Sequence, residues 1–113
     1  MDSIYVVTTI YVPKEFWDID IMEETDVSKW PKTSSRCVAW YPDNQHALNC
    51  VTGGGKFLSE DGYYNLAVIE HIEPGIYPYP KDGEEQWFGY KDEQWYAIEK
   101  PKFYNRTMGF GIG

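Results

Sequence analysis

Runs of β-branched and aromatic residues constrain the fold of this chain more than any other sequence feature. Three of these runs are SIYVVTTIYV at 3–12, RCVAWY at 36–41 and YYNLAVIEHI at 63–72. Such side chains are favoured on the pleated surface of a strand, and Pro13 ends the first run. Each run is therefore predicted to be a strand, and the first is expected at the centre of a sheet.

Alternation along 36–41 predicts which side chains of that strand share a face. Cys37, Ala39 and Tyr41 fall on one face, and Val38 and Trp40 on the other. Apolar residues occur on both sides, so both faces of the sheet are expected to be at least partly covered.

Two further segments predict strands toward the C-terminus. QWFGYKDEQWYAI indicates a hairpin with strands at 87–91 and 94–98, joined by a tight turn at Asp92 and Glu93. TMGFGIG at 107–113 alternates apolar residues with glycine, which predicts a flat strand whose glycine side admits a close neighbour.

Helical signals are shorter. Segment 15–24 predicts a short helix or an ordered loop, and 42–51 predicts a helix. Pro42 suits the first turn of this second helix and Asp43 its N-terminus, because proline fixes a helical φ and aspartate caps free N–H groups.

The glycines of VTGGGKF, residues 51–57, are predicted to end that helix. In a phosphate-binding loop the glycines precede a helix, so VTGGGKF is not predicted to be such a loop. Two interpretations stay open: a flexible closing loop, or a nest of backbone N–H groups that binds an anion beside Lys56.

Chain length and composition fit one domain over residues 1–113. A chain of 113 residues with 42% hydrophobic content is long enough for one core. The expected fold class is a small single α+β domain, mostly an antiparallel sheet of about five to six strands with one or two short helices.

The cysteine pattern predicts a reducing, cytoplasmic location. Cys37 and Cys50 fall in a predicted strand and a predicted helix, with no secretory signal or long apolar run before them. Two free cysteines, buried as small hydrophobic residues, are expected, and a Cys37–Cys50 disulfide is the alternative. No membrane association is predicted.

The charge balance narrows the choice of partner. Eighteen acidic residues against ten basic ones give a net charge of −8, which disfavours nonspecific binding to DNA. Two alternatives remain: a surface that imitates nucleic acid, or a small pocket whose few cations are placed individually. The two arginines, Arg36 and Arg106, are the candidates for the second alternative, although salt bridges to carboxylates are their other interpretation.

The sequence contains no recognisable motif of an enzyme. His46 and His71 lack partners at metal-binding spacing, and the sequence contains no nucleophile elbow. The chain is therefore predicted not to be an enzyme, with no catalytic residue, no metal and no cofactor.

Aromatic side chains are the stronger binding signal. Five tryptophans, ten tyrosines and five phenylalanines exceed what a core of this size readily encloses. Flat rings stack on nucleobases for about 1–3 kcal/mol per base, so a base-stacking pocket is one interpretation. The alternatives are rings that cover the core and rings in a homo-oligomer interface.

The ordered set RCVAWYPDNQHALNCVTGGG, GYYNLAVIEHIEPGIYP, QWF, YAIEKP and GFGIG resembles a family of small phage proteins. It is similar to the first-described group of Thoeris anti-defence sponge proteins. These bind the glycocyclic ADP-ribose signal made by bacterial TIR enzymes without cleaving it. Related members also take up cyclic oligonucleotides of the CBASS system at a separate site.

The resemblance implies an α+β protomer that forms homo-oligomers, dimers or hexamers, in the cytoplasm of an infected or lysogenic bacterium. It implies two sites. In the first, Arg106 would hold the diphosphate, Phe16 or Trp17 would stack on adenine, and Asn65 and Trp87 would line the same region. In the second, for a cyclic oligonucleotide, the N–H groups of Gly53, Gly54 and Gly55 would act with Arg36 or Lys56.

A competing hypothesis is a protein–protein inhibitor. The acidic segment WDIDIMEETD at 17–26 would imitate a phosphate backbone and block a nucleic-acid-binding defence enzyme. Clustering of carboxylates in this one segment, with lysines mixed among them elsewhere, favours the sponge over the mimic.

Overall fold

The computed structural model describes residues 3–14, 17, 34–73, 79–80 and 84–101. These residues form one antiparallel sheet with two short helices, so the predicted α+β class is confirmed. The predicted strand at 107–113 and the predicted helix or loop at 15–24 lie outside the described residues, apart from Trp17.

The strands follow the apolar runs of the sequence. Their bounds are β1 Ile4–Tyr11, β2 Ser34–Tyr41, β3 Leu66–Glu73, β4 Tyr79–Pro80, β5 Gln86–Lys91 and β6 Gln94–Ile98. The sheet order is β2-β1-β3-β5-β6, and the two-residue β4 pairs with the end of β3. The first run therefore lies inside the sheet, as predicted.

The predicted hairpin is confirmed with its turn. Lys91 pairs with Gln94, and the turn residues Asp92 and Glu93 have φ values of 54° and 63°. A two-residue hairpin of type I′ needs positive φ at both central positions, because only then does the turn match the twist of its strands.

Helix α1 spans Asn44–Thr52, and a second helix, α2, spans Gly55–Leu58. Asp43 caps α1: its Oδ1 accepts a hydrogen bond from the His46 backbone N–H at 2.9 Å. Gly53 forms the C-cap, so the predicted end of the helix is confirmed. Helix α2 was not predicted, and the glycines therefore connect two helices.

Both helices pack on one face of the sheet, called here the helix face. Its buried cluster contains Val7, Ala47, Val51, Leu58, Ala67, Ile69, Phe88 and Trp95. The Trp95 indole N–H donates to the Gly55 carbonyl at 3.0 Å, which fixes α2 against β6.

The opposite face, called here the far face, is also buried. Its cluster contains Ile10, Val12, Leu66, Val68 and Trp87, with Trp17 and Ile98 packed against it. Both faces of the sheet are therefore covered, which agrees with the apolar residues on both sides of the strands.

A β-bulge in β2 changes the predicted alternation. Val7 pairs with Ala39 but Thr8 pairs with Cys37, so Val38 has no partner on β1. Val38 packs against the helix-face cluster together with Ala39, and its predicted place beside Trp40 is therefore wrong. The extra residue shifts residues 34–37 of β2 by one position relative to β1.

Candidate functional site

A cleft lies on the helix face between β2 and the α2 region, with a volume of about 630 Å³. Small-molecule sites generally measure about 300–1,000 Å³, so the cleft has a suitable size. Its lining residues are Arg36, Cys37, Val38, Ala39, Tyr41, Cys50, Gly54, Lys56, Phe57, Leu58, Glu60 and Asp61.

The β2 bulge places Arg36 in this cleft. Counted back from Ala39 by strict alternation, Arg36 would lie on the far face. With the bulge, Arg36 pairs with Thr9, whose partner on β3 is Ala67 of the helix-face cluster. The Arg36 guanidinium consequently reaches the Glu60 carboxylate, with 3.1 Å between Nη1 and Oε2.

The cleft gathers both cations that the sequence proposed for the second site. Arg36 and Lys56 line it together and have side chains 64% and 57% exposed. Lys56 Nζ lies 3.9 Å from Asp61 Oδ1 and 4.0 Å from Glu93 Oε1. Exposed pairs of this kind are weak, so a ligand can compete for both cations.

The three glycines have distinct positions. The N–H groups of Gly53 and Gly54 donate to the Asn49 and Val51 carbonyls, so neither is free for an anion. A Cβ atom on Gly54 would lie 2.6 Å from the Leu58 Cβ atom. Gly54 is therefore needed for close packing of α2, and Gly55 takes the left-handed φ of 51°.

An aromatic ring stands at the edge of the cleft. Phe57 is 93% exposed although it lines the cleft, which leaves its ring face open to a ligand. Trp40 is also exposed, but it pairs with Val6 on the other side of β1 from the helix-face cluster and does not line the cleft. Phe57 is therefore the exposed ring that shares the cleft lining with Arg36 and Lys56, and an exposed ring of this kind can stack on a base.

Two side chains of the cleft lining, Tyr41 and Cys50, form a polar contact. The pKa of Tyr41 is raised, first by its hydrogen bond to Cys50 and second by the repulsion that the two groups would have if both were ionised. Cys37 and Cys50 both line the cleft and neither forms a disulfide, but Cys37 is exposed and Cys50 half-buried, so the expectation that both are buried is wrong. The cleft lining therefore includes a phenol that stays protonated at neutral pH.

The first predicted site falls elsewhere. Asn65 holds the backbone of Val12: its Oδ1 accepts from the Val12 N–H at 3.1 Å and its Nδ2 donates to the Val12 carbonyl at 2.7 Å. The Trp17 indole N–H also donates to the Val12 carbonyl, at 2.9 Å. Trp87 is only 3% exposed in the same far-face cluster.

These three residues are thus brought together on the far face, and Asn65 and Trp17 use their polar atoms there for the end of β1. Phe16 and Arg106, the other members of that predicted set, lie outside the described residues.

A polar cluster at the start of β1 was missed by the sequence reasoning. Ser3 Oγ hydrogen-bonds His71 Nε2, and His71 Nδ1 lies 3.4 Å from Glu84 Oε1. The Tyr5 ring stacks on the imidazole with 4.3 Å between centroids. None of the three polar residues lines the cleft, so the described contacts give this cluster a structural role that links β1, β3 and the approach to β5.

In comparisons with protein families, curated proteins and solved structures, nothing matches this chain. Neither helix within the described ranges has the length and apolar character needed to cross a membrane.

Proposed function

We propose that this chain binds a cyclic nucleotide immune signal and holds it without cleaving it, as a phage counter-defence protein in the bacterial cytoplasm. The observation that supports this function best is the cleft itself. It unites Arg36 with Lys56 and an open Phe57 ring, from segments that are distant in sequence.

Each part of such a ligand has a partner of suitable chemistry in the cleft. The Arg36 guanidinium is a planar fork of N–H donors that suits phosphate oxygens, and Lys56 adds a point charge. The Phe57 ring offers a stacking surface for a base. The proposed ligand of the cleft is therefore a cyclic oligonucleotide. Glycocyclic ADP-ribose would bind through Arg106, since Asn65 and Trp17 use their polar atoms for the backbone of Val12.

Retention rather than turnover is proposed for the cleft because its lining offers no activated nucleophile. Within the described residues, no group of three or more His, Cys, Asp or Glu side chains is arranged to hold a metal ion. Assembly into a homo-oligomer is part of the proposal, since it would enclose a ligand that an open cleft leaves exposed.

Calorimetric titration of the purified protein with cyclic triadenylate, and separately with glycocyclic ADP-ribose, tests this function. Heating the complex and chromatography of the released ligand then test for cleavage. We expect tight binding and release of the intact ligand. A linear product would make the protein an enzyme, and no binding of either compound would contradict the sponge proposal and favour the acidic inhibitor.

Single substitutions test where each of the two ligands binds. Arg36→Ala and Lys56→Ala should each weaken binding of cyclic triadenylate by about tenfold or more, the loss expected for a charge-assisted hydrogen bond. The control Lys91→Ala removes the same charge from an exposed lysine outside the cleft lining. Arg106→Ala should abolish binding of glycocyclic ADP-ribose only.

A further inference from the structure

Two carboxylates share the cleft with the two cations. Glu60 and Asp61 line the same cavity as Arg36 and Lys56. The Glu60 side chain is 42% exposed, so ligand groups can reach it while it contacts Arg36. Both carboxylates face the cations as ion-pair partners, and they would also repel a purely anionic ligand, so a ligand that donates hydrogen bonds as well suits the cleft better.

The turn that carries the two carboxylates is well ordered by hydrogen bonds. Glu60 and Asp61 have φ values of 53° and 63°, a conformation that non-glycine residues seldom adopt. Buried Ser59 holds the turn: its Oγ donates to the Lys56 carbonyl at 2.8 Å and accepts from the Gly62 N–H at 2.9 Å. The backbone that carries the two carboxylates is therefore held beside the cleft.

Both members of the Arg36–Glu60 pair can form further hydrogen bonds. An ionised carboxylate accepts at about four lone-pair sites and a guanidinium has five N–H donors, so one contact at 3.1 Å leaves most of them free. The pair thus presents donors and acceptors side by side. A ligand with a phosphate next to a hydroxyl would satisfy both at once.

Ribonucleotides have this arrangement, because the 2′-hydroxyl adjoins the phosphate on the neighbouring 3′ carbon. A free 2′-hydroxyl is the group by which proteins distinguish ribose from deoxyribose. An acidic side chain is also the usual acceptor for ribose hydroxyls in dinucleotide sites.

We propose that the cleft selects the ribose form of its nucleotide: Arg36 and Lys56 hold the phosphate while Glu60 accepts a hydrogen bond from a free 2′-hydroxyl. This inference rests on the proposed function. It adds a specificity-determining residue, Glu60, and a preference for the ribose form of the cyclic oligonucleotide over its deoxy counterpart.

Calorimetric titration with cyclic triadenylate and with its 2′-deoxy counterpart tests the inference. The wild-type protein should bind the ribose form about tenfold tighter or more, as expected for a hydrogen bond to a charged acceptor. Glu60→Ala should abolish this preference, and Glu60→Gln, which keeps a neutral acceptor, should retain part of it. The control Glu93→Ala removes a carboxylate that faces Lys56 but does not line the cleft, and it should keep the full preference.

The outcomes separate the two proposals. Equal binding of both forms by the wild-type protein would overturn the ribose preference and leave sequestration standing. Preference retained in Glu60→Ala would overturn the role of Glu60. Binding of neither form would overturn both the sequestration of a cyclic oligonucleotide and the preference.

Discussion

The helix face and the far face of the sheet are both buried, but they use their polar side chains differently. On the far face, Asn65 and Trp17 bind the backbone of Val12, and Trp87 is almost inaccessible. On the helix face, Arg36 and Lys56 end in exposed groups at an open cleft. The polar groups of the far face therefore hold the protein backbone together, whereas the polar groups of the cleft are accessible to a ligand.

An aromatic-rich composition does not tell which rings are buried in the core and which are exposed, and the two faces contain one example of each. Trp87 and Phe57 are both large rings in a chain with more aromatic residues than its core readily encloses, but one is 3% exposed and the other 93%. Composition alone predicts that some rings face outward. The structure shows which rings can contact a ligand without unfolding of the sheet.

The largest expected effect is the contrast between these two rings. Trp87→Ala should lower the free energy of unfolding by about 3–5 kcal/mol, because it leaves a cavity in the far-face cluster. Phe57→Ala should change it by less than about 0.5 kcal/mol, since the ring is exposed, but should weaken binding of cyclic triadenylate. Urea unfolding and calorimetric titration measure the two quantities. A large destabilisation by Phe57→Ala would show that the ring packs against the protein.

Asn65→Ala should have an intermediate effect. It removes the acceptor of the Val12 N–H, while the Val12 carbonyl keeps its bond from Trp17. One backbone donor left without a partner should cost about 1–3 kcal/mol in urea unfolding. The control is Asn49→Ala, which removes an exposed side-chain contact with Gln45 and should change stability very little. If Asn65→Ala abolished ligand binding with unchanged stability, Asn65 would be a ligand contact instead.

The smallest effect concerns the cap of α1. The pKa of Asp43 is lowered from its ordinary value of 3.8, because the carboxylate accepts a hydrogen bond from the His46 N–H and contacts the His46 ring. A lowered folded-state pKa gives stability that is full above the ordinary value and is lost as pH falls below it.

Thermal melts at pH 6 and pH 3 should therefore show a slightly larger loss of Tm for the wild-type protein than for Asp43→Asn, whose amide still caps the helix. An equal loss in both proteins would show that the charge of Asp43 does not contribute to stability.

Most strands were predictable because their signals are local. Proline ends the first run, apolar residues dominate β3, and the hairpin at 87–98 combines two strand-forming segments with a tight turn. Helix α1 was predictable for the same reason, since Asp43 caps its start and the glycines mark its end, but Pro42 lies before the cap and not in the first turn as predicted. These features do not depend on which elements become neighbours.

The cleft was predictable only in part. Arg36, Lys56 and the glycines were proposed together from a family resemblance, and the structure places Arg36, Lys56 and Gly54 in one cavity. Their carboxylate neighbours could not be foreseen, because α2 is too short to show periodicity, and Asp61–Gly62 signals a turn without showing which residues it brings to Arg36. The bulge could not be predicted either, because it depends on how β2 pairs with β1.

The unpaired residue Val38 also has a consequence for assembly. β2 is the last strand of the described sheet order, and such a strand offers backbone groups to which another chain can pair. A bulge interrupts the even ladder that edge-to-edge pairing needs, and it twists the strand locally. The bulge that turns Arg36 toward the cleft is therefore also a feature of the kind by which edge strands resist pairing with another chain.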